Sequence, residues 1–131
     1  DKKLQQEEYT IDKVSQEIAD PIHLKISFLS GNVTINKDVR FLYADADKLS
    51  FPLTLRKWQS GDWFVPFGMK GRKKLSDFFT DRKFSLVDKE NAWVLSSGEN
   101  IVWIVGERPD ERFKVTESTE NVMVVEFIKD L

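Results

Sequence analysis

Apolar residues recur at every second position through most of this chain, and that alternation predicts strands. Leu24, Ile26 and Phe28 share one face of the run from His23 to Leu29, as a half-buried strand requires. Tyr9 and Ile11 alternate in the same way and predict an early strand, although Leu4, Val14 and Ile18 also fit a looser helical period. Asp20-Pro21 breaks the chain, and Ser30-Gly31-Asn32 turns it. Val33 and Ile35 continue the alternation, followed by strands over 39–43, 53–58 and 63–67, the last ending near Pro66. Two uninterrupted apolar runs, 92–96 and 101–105, flank Ser97-Gly98-Glu99-Asn100 and predict a hairpin. A short strand over 113–116 and a longer one over 121–128 close the chain. Only one stretch changes period: Leu75, Phe78, Phe79 and Arg82 fall at i, i+3, i+4 and i+7. The prediction is an α+β fold, mostly antiparallel β-sheet or sandwich, with one short amphipathic helix at about 74–82.

The 131 residues fit a single domain, with 1–20 a candidate linker to a preceding one, and suffice for a core without staples. The chain has no cysteine, which excludes disulfides, thiolate metal sites and cysteine nucleophiles and agrees with a reducing cytoplasm. No apolar run approaches the roughly 20 residues of a membrane span, and DKKLQQEEYT has no signal-peptide pattern.

Charge changes the picture more. The formal net charge is only −2, but it is segregated. Residues 1–50 carry 7 basic and 9 acidic side chains, 51–83 carry 8 and 3, and 84–131 carry 5 and 10. The basic segment contains a loop, Phe67 to Lys74, reading FGMKGRKK. Its glycines permit close backbone approach to a phosphate, and Lys70, Arg72, Lys73 and Lys74 supply the charge. Arg82 and Lys83 extend the patch one helix later. Such a surface positions a nucleic acid by its backbone rather than reading its bases, as RNA duplexes favour. The competing reading is a glycine-bracketed turn with solvated lysines.

Other chemistry is thin. Neither a P-loop nor a G-x-G-x-x-G motif occurs. The single histidine, His23, supports no nucleophilic triad. Asp45 and Asp47 read as solvated or capping residues rather than metal ligands, and Asp77 and Asp81 as partners of Lys73 and Lys74. Trp93 and Trp103 lie in apolar strands and read as core, as do Trp58 and Trp63 beside the Gly61-Asp62 turn, so no stacking platform is expected from them.

The pieces PFGMKG-x-KKLSDFF-x-D-x-K, IVWIVG and RFKVT, spread over about 53–116, resemble the C-terminal domain of bacterial tRNA(Ile)-lysidine synthetases. The resemblance implies an accessory part of a ligase that uses ATP, with Mg, to attach lysine to cytidine 34 of the minor isoleucine tRNA, which bears a CAU anticodon. That family's ATP site lies in an N-terminal domain with an S-G-G-x-D-S loop that this chain lacks, so no catalytic residue, metal or cofactor is expected here. The implied partners are the tRNA, held by its phosphates near the acceptor stem, and the enzyme's own N-terminal catalytic domain. Carried over by motif position, the tRNA contacts are Lys70, Arg72, Lys73, Lys74 and Lys83, with Arg108, Arg112 and Lys114 from the second block. The alternative is a protein–protein or dimerisation module of the same enzyme, giving a homodimer.

Overall fold

A computed structural model describes residues 7–129. The strands, in order, are β1 (Glu8–Ile11), β2 (Gln16–Ile18), β3 (Leu24–Ser30), β4 (Phe41–Asp45), β5 (Leu53–Lys57), β6 (Trp63–Phe64), β7 (Lys73–Lys74), β8 (Trp93–Ser97), β9 (Asn100–Ile104), β10 (Arg108–Pro109) and β11 (Asn121–Phe127). Helices α1 (Leu75–Asp81) and α2 (Leu86–Glu90) lie between β7 and β8. One antiparallel sheet has the order β1-β5-β8-β9-β10 and the other β2-β3-β11-β4, while β6 and β7 form a separate small hairpin. The expected mostly antiparallel α+β fold is the one observed, and its amphipathic helix lies where the apolar period placed it.

Burial explains the layering. Leu53, Leu55, Leu95 and Trp103 of the first sheet meet Leu24, Ile26, Leu42, Met123 and Val125 of the second in one apolar cluster. The opposite face of the first sheet packs Val94, Ile101 and Ile104 against Phe64, Leu75, Phe78 and Phe79. Strands β8 and β9 are therefore covered on both faces, which is why they read as continuous apolar runs rather than alternation. A register shift beside Leu95 and Ser96 resets the pleat, so Ile101 and Ile104, three positions apart, face the same layer.

Several local expectations differ from the structure. Val33 and Ile35 lie in an irregular loop, and Val39 precedes its strand in a turn. Phe113 belongs to a 3-10 turn, Glu111–Phe113, capped by the Asp110 carboxylate, and Lys114 makes only an isolated bridge to Ala44. The stretch 84–91 holds a second helix that the sequence reading gave no element. Residues 8–11 and 16–18, within the stretch read as a candidate linker, pair into both sheets, and Leu4 lies outside the described residues.

Candidate nucleic-acid interface

The basic loop leaves the core at Val65 and returns at Lys73, and its base is fixed by the segment 108–112. Asp110, 1% exposed, is the centre of that clamp. Its carboxylate accepts the Val65 N–H at 2.8 Å, the Arg112 N–H at 2.7 Å, and the Arg112 guanidinium at 2.9 Å through Nε and Nη2. Main-chain bonds add Phe67 N–H to the Pro109 carbonyl at 3.0 Å and Glu111 N–H to the Val65 carbonyl at 2.7 Å. Arg108 donates to the Phe67 carbonyl at 2.6 Å. Gly68 takes φ of 87°, closing a turn in which Met69 N–H bonds to the Pro66 carbonyl, and it gives its own N–H to Glu111. The two basic blocks, 40 residues apart in sequence, are thus one construction.

Beyond the clamp, the hairpin pairs Trp63 with Lys74 and Phe64 with Lys73. The Arg72 guanidinium lies 4.0 Å and that of Arg112 4.8 Å from the centre of the half-buried Trp63 ring. Trp63 was expected in the core and instead joins the two blocks. Trp58 is half-buried against the core, donating its indole N–H to the Lys89 carbonyl and meeting Phe79 edge-on. Trp103 is fully buried and Trp93 is half-buried against Tyr9.

Helix α1 begins at Lys74 without a side-chain cap. It ends in a Schellman arrangement: Lys83 N–H bonds to the Thr80 carbonyl at 3.0 Å, and Phe84 N–H to the Phe79 carbonyl at 2.9 Å. Phe79 and Phe84 stack at 4.8 Å, the apolar contact that accompanies this motif. The left-handed position, normally glycine, is occupied by Lys83 at φ of 57°. Its side chain is exposed, at the opposite end of α1 from Lys74.

The eight expected contact residues now separate by what holds them. Lys70, Lys74 and Lys83 are exposed, with no side-chain hydrogen bond or ion pair among the described residues. Arg72 is exposed and only stacked, an interaction worth about 0.5–1 kcal/mol at such a site, against about 1.5–3 kcal/mol for a charged hydrogen bond. Its guanidinium edge can therefore serve a phosphate without leaving the ring. Lys73 pairs with Asp81, whose side chain is 63% exposed. Lys114 pairs with Glu111 at 2.5 Å. The Lys73–Asp81 pair is exposed and worth about 0–1 kcal/mol, so a phosphate can replace Asp81, whereas the Lys114–Glu111 pair is part-buried and Glu111 also holds Gly68. Arg108 is half-buried, with one nitrogen committed to Phe67. Arg112 is an anchor, held by a carboxylate with no side-chain exposure and bonded also to Asn100. Arg56, counted in the basic segment, is neutralised by Asp62 through bonds of 3.0 and 3.1 Å.

The acidic groups around the loop are held apart electrostatically. Glu111 titrates below the ordinary glutamate value because Lys114 and then the Gly68 N–H bond its charged form. Glu107 titrates above it because burial disfavours the carboxylate, against the opposing pull of Arg82. Asp45 caps the 3-10 turn Ala46–Lys48 and accepts from Thr119, and Asp47 accepts from Asn121, so both act structurally. Among the described residues no group of three or more His, Asp or Glu side chains is placed to hold a metal ion, and no helix is long and apolar enough to cross a membrane.

Comparison with known proteins agrees with the motif. Residues 53–126 match the family model of the TilS substrate C-terminal domain. The chain is 56% identical over 109 residues to a tRNA(Ile)-lysidine synthase of Parabacteroides distasonis, covering 80% of this chain and 25% of that protein. It is 54% identical over 84 residues to the Bacteroides thetaiotaomicron enzyme of the same name, covering 64% and 20%. The chain thus spans a quarter or less of these relatives. A crystal structure of a TilS C-terminal domain superposes with a TM-score of 0.78 at 18% identity, covering 92% of this chain and 96% of that one. An N-terminal fragment of the phenylalanyl-tRNA synthetase β-subunit from Pyrococcus horikoshii superposes over 65% of this chain and 27% of its own, with a TM-score of 0.55 at 20% identity. At these identities both structures speak for the fold alone.

Proposed function

This chain belongs to the TilS substrate C-terminal domain family, and on that premise we propose that it is the tRNA-holding part of an ATP-dependent lysidine-forming ligase. Its substrate is the minor isoleucine tRNA with the CAU anticodon, gripped by phosphates near the acceptor stem. Residues 1–131 act as one domain beside the enzyme's own N-terminal catalytic domain, in the cytoplasm. The observation that carries this reading is the set of exposed cations, Lys70, Arg72 and Lys74 on a loop whose base is rigidly clamped and Lys83 just past the end of α1. Lys73, Arg108 and Lys114 stand beside them, and Arg112 holds the base. A rigid base matters because a phosphate contact gains little if ordering the loop must be charged against it.

ATP and Mg belong elsewhere in the ligase. The residues here fit neither: the chain has no phosphate-cradling motif, and the described residues hold no carboxylate cluster. No step of lysine transfer is assigned to this chain.

The test is a binding titration of the minor isoleucine tRNA with the chain and with its Lys70→Glu/Lys74→Glu variant. The expected result is a loss of at least tenfold in affinity with unchanged thermal unfolding. Unchanged affinity overturns the assignment.

A further inference from the structure

A concavity lies beside the basic loop rather than on it. It is a groove of about 540 Å³ between the loop before β4 and the clamp segment. Its floor is aromatic: Phe41 and Tyr43, two positions apart on β4, stack at 6.3 Å with their planes 29° apart. Ile35 and Val39 form one wall, 46% and 57% exposed, and the Tyr43 hydroxyl holds that loop by accepting the Asn36 N–H at 3.1 Å. Phe67, 48% exposed, forms the facing wall. The rim is cationic, with Lys37, Arg82, Arg108 and Lys114.

Three properties identify the occupant. First, the volume lies in the range that receives a small organic group, and the lining is mostly apolar. Second, the rim acids are already engaged: Glu107 with Arg82, Asp38 with Arg40, and Asp110 with Arg112, whereas Lys37 has no acidic partner among the described residues. A ligand joining an aromatic plane to a negative group matches both surfaces. Third, the groove is continuous with the basic loop, because Phe67 is the loop's first residue and its carbonyl receives Arg108. Unpaired nucleotides are held in this manner, by stacking on aromatic side chains with basic groups at the backbone.

We propose that this groove receives an unpaired ribonucleotide of the bound RNA, its base against Phe41, Tyr43 and Phe67 and its phosphate at the rim cations Lys37 and Arg108. The proposal rests on the RNA-binding reading above and adds to it a site for a single-stranded segment next to a duplex-gripping loop. A protein side chain inserted in the groove would satisfy the apolar walls but not the cationic rim.

The experiment uses the chain with two RNA hairpins of equal phosphate number, one blunt and one with a three-nucleotide unpaired 3′ tail carrying 2-aminopurine. The expected result is about tenfold tighter binding of the tailed hairpin, with a change in 2-aminopurine emission. Phe67→Ala should abolish the difference between the two RNAs, and Phe67→Tyr should restore it. Val39→Glu, which places a negative charge on an exposed wall position, should also abolish it. Equal affinity for both hairpins, or a difference that survives Phe67→Ala and Val39→Glu, overturns the groove assignment while leaving the phosphate-gripping loop intact. Failure to bind either hairpin overturns both readings. Self-association of the chain that Val39→Glu abolishes, without any tail effect, assigns the groove to a second copy and overturns the nucleotide.

Discussion

Asp110 accepts the backbone N–H of Val65 at 2.8 Å across 45 positions of sequence, and the same carboxylate grips Arg112 through two guanidinium nitrogens. This link turns a mobile-looking glycine and lysine stretch into a supported loop. Replacing Asp110 by Ala leaves a buried N–H and a guanidinium without their acceptor, and the expected loss is about 3 kcal/mol of folding stability. Urea unfolding of Asp110→Ala checks it, with an unchanged midpoint as the contrary result.

The same link separates Arg112 from its neighbours. Arg112→Ala should lower stability and RNA affinity together, because its guanidinium is part of the clamp. Lys70→Ala should lower affinity alone, because its side chain has no partner among the described residues to lose. Paired measurement of unfolding midpoint and dissociation constant for both variants decides this.

Lys83 sits where glycine is cheaper. A non-glycine residue in the left-handed region costs about 1 kcal/mol, so Lys83→Gly should raise stability by roughly 0.5–1 kcal/mol. The same change should weaken RNA binding and reduce the salt slope by about 0.9. Lys83→Ala should weaken binding without the gain in stability. A Gly variant that binds as well as the parent would remove Lys83 from the contact set.

Two glutamates set opposite pH dependences. Glu111, held below its ordinary value by Lys114 and the Gly68 N–H, contributes stability that is present above that ordinary value. That contribution is lost as pH falls through its depressed folded value. Glu107, pushed above its ordinary value by burial, contributes in the other sense. Its stability is present below the ordinary value and is lost as pH rises through the elevated folded one. Carbon-13 titration of the carboxyl groups should show the two midpoints on opposite sides of the ordinary glutamate value. Glu111→Gln should flatten the acid side of the stability profile and Glu107→Gln the side above it.

The fold was legible where one local rule dominated. Leu24, Ile26, Leu53 and Leu55 alternate because each strand has one face on the core, and Leu75, Phe78 and Phe79 follow the helical period for the same reason. Helix α2 escaped because Leu86 and Val87 are 71% and 63% exposed, leaving no inward stripe for a period to reveal. Its signal was instead the Ser85-x-x-Asp88 capping box, in which both reciprocal bonds form. Val33 and Ile35 imitate a strand by composition, but Ile35 serves the groove wall.

The interface was legible in composition and not in pairing. Glycine spacing and the run of lysines marked the loop, and the second block brought in Arg108, Arg112 and Lys114. The Lys73–Asp81 pair was legible from the helix spacing, but which other cations are open was not, because Arg82–Glu107 and Arg56–Asp62 depend on where the chain folds back. The groove was invisible for the same reason, its lining coming from 35–43, 67, 82 and 107–115.

The central claim is that open cations on the clamped loop hold RNA phosphates. Its most direct test is the salt dependence of binding between this chain and the minor isoleucine tRNA. Four or five phosphate contacts predict a log–log slope of roughly −3 to −4, falling toward zero for the Lys70→Glu/Lys74→Glu/Lys83→Glu variant. Binding that ignores salt, or a slope that the triple variant leaves unchanged, contradicts the account.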